Sequence, residues 1–200
     1  MLHKPAITQV VINETIANRW SGRAYDADQA LGQDKVIALL EAARWAPSCF
    51  GDQPWRFIVC NKSTDADAWQ RGFDCLGESN QTWAKDAPLL LLICADTIFS
   101  HNLQPNRWAQ YDTGAAAENL CLQASSMGLT AHQMGGFNAD KARTAFSIPS
   151  QFTLMAMISV GYPADKASLL PEILSRENAD RKRRPLNELF FSSHWDQALD

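Results

Sequence analysis

The stretch Ala109-Gln-Tyr-Asp-Thr-Gly-Ala-Ala-Ala-Glu-Asn-Leu-Cys-Leu-Gln-Ala-Ser-Ser-Met127 decides the fold. Its alanines, with Leu120 and Leu122, leave little purely polar face, and Gly128 follows as a stop. Such a helix is either central to the molecule or at a subunit interface. Upstream, Val36, Ile37, Leu39, Leu40 and Ala43 recur with helical period from Gln33 and must stop before Pro47. A first helix is predicted over Asn13–Trp20, with Asn13 as its N-cap, and another over Asp65–Leu76. Trp55–Cys60 and Thr153–Gly161 read as strands, and the segment after Pro163 reads as polar, irregular and cationic until Glu188. Leu89–Ala95 is apolar without alternation, as in a strand covered on both faces.

The 200 residues, 46% hydrophobic and 20% charged, fit one domain, and no linker or repeat divides 1–200. A net charge of −4 argues against a dedicated nucleic-acid or anionic-membrane binder. The longest apolar run, Ala87–Ala95, is too short to cross a bilayer. Five cysteines without a CxxC pair read as reduced thiols of a cytoplasmic protein rather than a zinc site, and Met1–Pro5 lacks the apolar segment of a secretion signal. GxxxxGK[ST], GxGxxG, HExxH and GxSxG are absent, which removes the usual nucleotide, zinc-protease and serine-hydrolase readings.

Against the overall acidity, Arg176, Arg181, Lys182, Arg183 and Arg184 cluster against only Glu177 and Asp180. Alone, that run suits a solvated face. Three other segments carry chemistry. Arg19-Trp20-Ser21-Gly22-Arg23 offers two guanidinium groups and a hydroxyl, suited to a phosphate, although a charged helix end looks the same. Ala46–Trp55 is a loop bracketed by Pro47 and Pro54 that leaves polar groups of Ser48, Cys49, Asp52 and Gln53 free, although a tight connection with Trp55 as a core plug looks the same. In Ala131-His-Gln-Met-Gly-Gly-Phe137 paired glycines let a flat ligand approach the main chain, the alternative being a plain turn.

In order and spacing these segments resemble the FMN-dependent nitroreductase family from about Ile12 to Leu189. The likeness rests on RxSxR, APSxxxxQPW, Asn80 with Ala87-Pro88, the DxG…ENLCLQA…GL helix, the GGF turn, Gly161-Tyr-Pro163 and RxRRPL. It implies an α+β fold with a central mixed, mostly antiparallel sheet flanked by helices. It also implies an intertwined homodimer in which the tail, about 164–200, crosses onto the partner. By resemblance, FMN phosphate is held by Arg19 and Ser21 with Arg181 and Arg183, and Trp20 belongs to the same site. Arg23 lies near the pyrimidine edge. Asn80 bonds the polar edge of the ring, Gly135 and Gly136 offer N–H groups to N5, and Gln133 and Met134 line that side. Pro47, Ser48 and Cys49 reach the flavin of the neighbouring subunit. The flavin performs the redox chemistry, so no protein nucleophile or acid–base triad is expected, and His132 reads as a packing residue.

The activity implied is ping-pong transfer from NAD(P)H to a flat acceptor such as a nitroaromatic or quinone. Two alternatives are a non-catalytic flavin-binding protein on the same fold and a flavoenzyme dedicated to one metabolite. The sequence departs from the family at Gly51, where Asn is usual, and at Trp83, where some members have lysine. The bulky Trp83 is expected to shape the pocket.

Overall fold

A computed structural model of the chain describes residues 4–165 and 169–198. Its centre is the apolar strand. Among the described residues seven α-helices and four strands run in the order α1 (Glu14–Asn18), α2 (Gln33–Arg44), β1 (Trp55–Asn61), α3 (Ala66–Phe73), α4 (Glu78–Ala84), β2 (Leu89–Asp96), α5 (Ala109–Ser126), β3 (Thr130–Met134), α6 (Ala139–Ala145), β4 (Phe152–Gly161) and α7 (Pro171–Asn178). The sheet order is β1-β2-β4-β3.

Both faces of β2 are covered. Leu89, Leu91 and Ile93 pack with Leu39, Ala43, Ala116 and Leu120 of α2 and α5, while Leu90, Leu92 and Cys94 pack with Trp69, Cys75, Trp83 and Met157 on the other side. This is why the strand is continuously apolar, since period-2 alternation sends successive residues into two different cores. Full burial of each leucine contributes about 1.5–3 kcal/mol. The helix α5 is central. Its small residues Ala116, Ala117, Cys121 and Ala124 are buried against the core, whereas Tyr111 remains exposed.

Every pairing among the described strands is antiparallel, with Trp55 opposite Ala95, Leu89 opposite Val160 and Thr130 opposite Gly161. A parallel component, expected of a mixed sheet, is not found among them. The α5 crossover does return β3 in the direction of β2, but one place too far out, and β4 fills the gap running the opposite way.

Local signals set the helix ends. The side chains of Asn13, Asp65 and Asn138 accept from the N–H groups of Thr15, Ala68 and Lys141 and cap α1, α3 and α6. Gly128 ends α5 at φ +71°, a conformation natural to glycine. Two expectations need correction. Residues 131–134, read as part of a turn, belong to the edge strand β3, and only the glycines beyond it turn. The segment after Pro163, read as irregular, contains α7, which starts on Pro171 and buries Ile173 and Glu177. The expectation for the tail also takes in 166–168 and 199–200, which lie outside the described residues. Among the described residues no helix is long and apolar enough to cross a membrane.

Candidate functional site

Helix α1 stops early, at Asn18, because Arg19 takes an extended conformation (ψ 125°). From there 19–23 runs beside β3. The Nε of Arg19 lies 3.1 Å from Oε1 of Glu118 on α5, and Gln133 of β3 donates through Nε2 to Oε2 of the same carboxylate at 3.3 Å. Gln133 also reaches Cys121 Sγ at 3.6 Å, and His132 Nδ1 meets the Gly22 carbonyl at 3.1 Å. Glu118 therefore joins the N-terminal arginine segment, the central helix and the edge strand. Burial, then the negative charge of Glu118, pushes the Cys121 thiol up to about 12, so it stays protonated and is no nucleophile.

Arg23 is fixed from below. Its backbone N–H donates to Glu177 Oε1 at 3.2 Å and its Nη1 lies 3.6 Å from Oε2 of that almost fully buried carboxylate. Its guanidinium sits 5.8 Å over the Trp83 ring. Trp83 is itself 2% exposed, stacked on Tyr25 at a centroid distance of 6.3 Å and packed against the tilted ring of His132 at 4.6 Å. Trp83, expected to shape the pocket, is thus a core residue and meets the site residues through its contact with Arg23. Burial first, then the Arg23 charge, push His132 down to about 4, which leaves it neutral at pH 7.

From the other chain end, Arg181 and Arg183 join Lys4, Arg19, Ser21 and Arg23 around one cleft of about 240 Å³ that Trp20 also lines. The two tail arginines differ. Arg183 is exposed and, among the described residues, donates only to the adjacent Lys182 carbonyl at 2.8 Å. Arg181 commits three donors to backbone carbonyls, those of Lys4 and Ala17 at 2.7 Å and Arg19 at 2.9 Å. Burial, with the like charges of Arg19 and Arg183, lowers its pKa.

Beyond β3 the chain turns at Gly135-Gly136. The Gly136 carbonyl accepts from Gly77 N at 2.9 Å and from Asn80 Nδ2 at 3.0 Å, so Asn80 and the glycine turn are brought together at the start of α4. A Cβ on Gly136 would press on Asn80 at 3.0 Å, whereas one on Gly135 would meet nothing within 4 Å. The Met134 side chain is buried in the core below and so does not line the site, and Gln133 turns toward α5.

The loop with Pro47, Ser48 and Cys49 lies elsewhere. Cys49 N–H donates to Asp112 Oδ2 at 2.9 Å in the first turn of α5, and Gln53 N–H to Ser48 Oγ at 3.0 Å. Six residues separate Asp112 from Glu118, about 9 Å along a helix. Within one chain this loop does not join the cleft. Phe50, Gly51 and Gln53 all have positive φ, and Gly51 stands at +67° with open space around it. Asn is among the residues best tolerated there after glycine, so the departure at 51 keeps the backbone and drops a side chain.

The sequence singled out the arginines and glycines but not their partners. Glu118 was legible only as part of a helix motif, Glu177 only as an acid inside a basic run, and nothing marked Lys4.

Several known proteins share this architecture. A crystal structure described as an oxidoreductase containing FMN superposes with a TM-score of 0.89, at 32% identity over 98% of both chains. A provisionally assigned nitroreductase from Desulfovibrio desulfuricans, in complex with FMN, gives 0.69 at 26% identity over 90% of this chain and 95% of its own. A protein of Methanothermobacter thermautotrophicus, provisionally named NADH dehydrogenase/NAD(P)H nitroreductase, is 30% identical over 165 residues, 80% of this chain and 81% of its own. Residues 16–162, which carry the cleft's N-terminal arginines, the central helix and the glycine turn, match the Nitroreductase family, and the chain belongs to that family.

Proposed function

We propose that the protein is an FMN-dependent oxidoreductase. The observation that carries this is the convergence of Arg19, Ser21, Arg23 and Arg183, from opposite chain ends, on one cleft that Glu118 and Gln133 connect to the Gly135-Gly136 turn. The residues fit the group. An exposed guanidinium and a hydroxyl suit a phosphate dianion, and the open space at Gly135 suits a flat ring laid against backbone. Support for the cofactor also comes from the FMN of the two structures named above.

When bound, FMN would supply the redox chemistry, hydride transfer in ping-pong order from NAD(P)H to a flat acceptor such as a nitroaromatic or quinone. The chain's own residues would bind and tune. Arg19, Ser21 and Arg183 would grip the phosphate with charge-assisted bonds of about 1.5–3 kcal/mol each. Arg23, held by Glu177 and resting on Trp83, would place a fixed cation near the ring and favour the reduced, anionic form. Asn80 and the glycine N–H groups would orient the ring's polar edge.

A homodimer completes the proposal. Trp45, Phe50 and Tyr111 are each at least three-quarters exposed, and Phe50 adjoins the Cys49–Asp112 contact at the start of α5. A partner seated there would cover this apolar patch and receive Pro47, Ser48 and Cys49 at its own cleft. The free thiols suit a reducing cytoplasm. Steady-state oxidation of NADH or NADPH with menadione or nitrofurazone tests the activity. Turnover with either nucleotide supports it; a bound flavin that neither nucleotide reduces favours the non-catalytic alternative.

A further inference from the structure

We infer that Lys4 and Arg181 form a reciprocal clasp that shapes the anion cleft, and that Arg181 is a positioning residue for Arg19 rather than an anion ligand. Two helices end at this cleft, and each leaves carbonyls without intrahelical partners. At the end of α1, the Ala17 and Arg19 carbonyls receive Arg181 Nη1 and Nη2 at 2.7 and 2.9 Å. At the end of α7, the Glu177 carbonyl receives Lys4 Nζ at 2.8 Å, and the Ala179 carbonyl receives the same ammonium. Arg181 also holds the Lys4 carbonyl at 2.7 Å, so Arg181 caps α1 and holds the segment that leads into it, while Lys4 caps α7, the helix that Arg181 follows. Cations at helix C-termini are favourable twice, as donors to the last carbonyls and as charges at the negative end of the helix dipole.

The geometry fixes Arg19 at two points, its carbonyl by Arg181 and its Nε by Glu118 at 3.1 Å. Glu177, whose carbonyl Lys4 holds, also holds Arg23 through its carboxylate. Docking of the C-terminal segment therefore sets the positions of both N-terminal arginines before any ligand arrives. Three of the five guanidinium donors of Arg181 are occupied by neutral acceptors, and their fork geometry is one that an ammonium group cannot reproduce.

The test compares full-length Arg181→Ala, Arg181→Lys, Lys4→Met and Arg183→Ala with wild type, first freed of flavin and then titrated with FMN. Only the titration rests on the flavin reading, so a wild type that takes up no FMN would sink that reading and leave the melting comparison intact. The expected result is a fall of about 5–10 °C in the melting midpoint of the flavin-free Arg181→Ala protein, with a smaller fall for Lys4→Met and none for Arg183→Ala. Arg181→Lys should recover less than half of the loss, and Arg181→Ala should raise the FMN dissociation constant about tenfold or more. A flavin-free Arg181→Ala protein that melts at or above wild type, as relief of repulsion from Arg19 and Arg183 would produce, overturns the clasp. So does full rescue of melting and binding by lysine.

Discussion

The guanidinium of Arg19 and the carboxylate of Glu118 face each other at 3.1 Å, and Gln133 occupies the second oxygen of that carboxylate at 3.3 Å. One half-exposed carboxylate thus orients a cation supplied by the N-terminal segment against a strand that leads into the glycine turn. Glu118 is partly solvated, so its pairing contributes orientation more than stability.

If Arg19 meets the phosphate, Arg19→Ala should weaken FMN by about 10- to 100-fold, the equivalent of one charge-assisted bond. Riboflavin, which lacks the phosphate, should bind both proteins alike. Parallel fluorescence titrations read the difference, and an equal loss for both ligands would remove Arg19 from the phosphate site.

The positive φ of Gly51 and the space around it separate two substitutions. Gly51→Asn should stay within about 0.5 kcal/mol of wild type, whereas β-branched Gly51→Val should cost about 1–2 kcal/mol, since it strains the left-handed backbone. Urea unfolding measures both.

Because Trp83 is core, Trp83→Lys cannot simply restore a family side chain. An ammonium placed between Tyr25 and His132, close to Arg23, should destabilise the fold by at least about 3 kcal/mol at neutral pH. The loss should shrink as pH rises and the buried amine is neutralised. Stability equal to wild type at pH 7 would place residue 83 at a wet pocket wall.

His132 makes stability depend on acid. Burial and Arg23 push it down to about 4. The unfolded histidine titrates near about 6.5, so between these values the unfolded chain binds a proton that the folded chain refuses. The contribution is fully present above about pH 6.5 and is lost as pH falls toward 4, on the order of 3 kcal/mol in all. Unfolding curves at pH 7 and 5 should show the loss, and His132→Gln should flatten it.

Much of this was legible because its signals are local. The β2 run, the α2 period, the Gly128 stop and the Asn13 cap each depend on a few neighbouring residues. The site arginines and glycines were legible by type and order. Hidden were features that depend on distant partners. Thr130–Met134 is too short and too mixed, with Gln133 exposed between buried His132 and Met134, to announce a strand. Glu177 looks like one acid diluting a basic run until α7 buries it under Arg23. Arg181 and Arg183 are chemically equal in sequence, and only the carbonyl ends of α1 tell them apart.

The flavin reading stands or falls on cofactor uptake. Flavin-free protein titrated with FMN should quench its fluorescence to a sharp end point of one FMN per chain and acquire a bound-flavin absorption spectrum, which NADH or NADPH then bleaches without oxygen. A protein that remains colourless and leaves FMN fluorescence unchanged would contradict it.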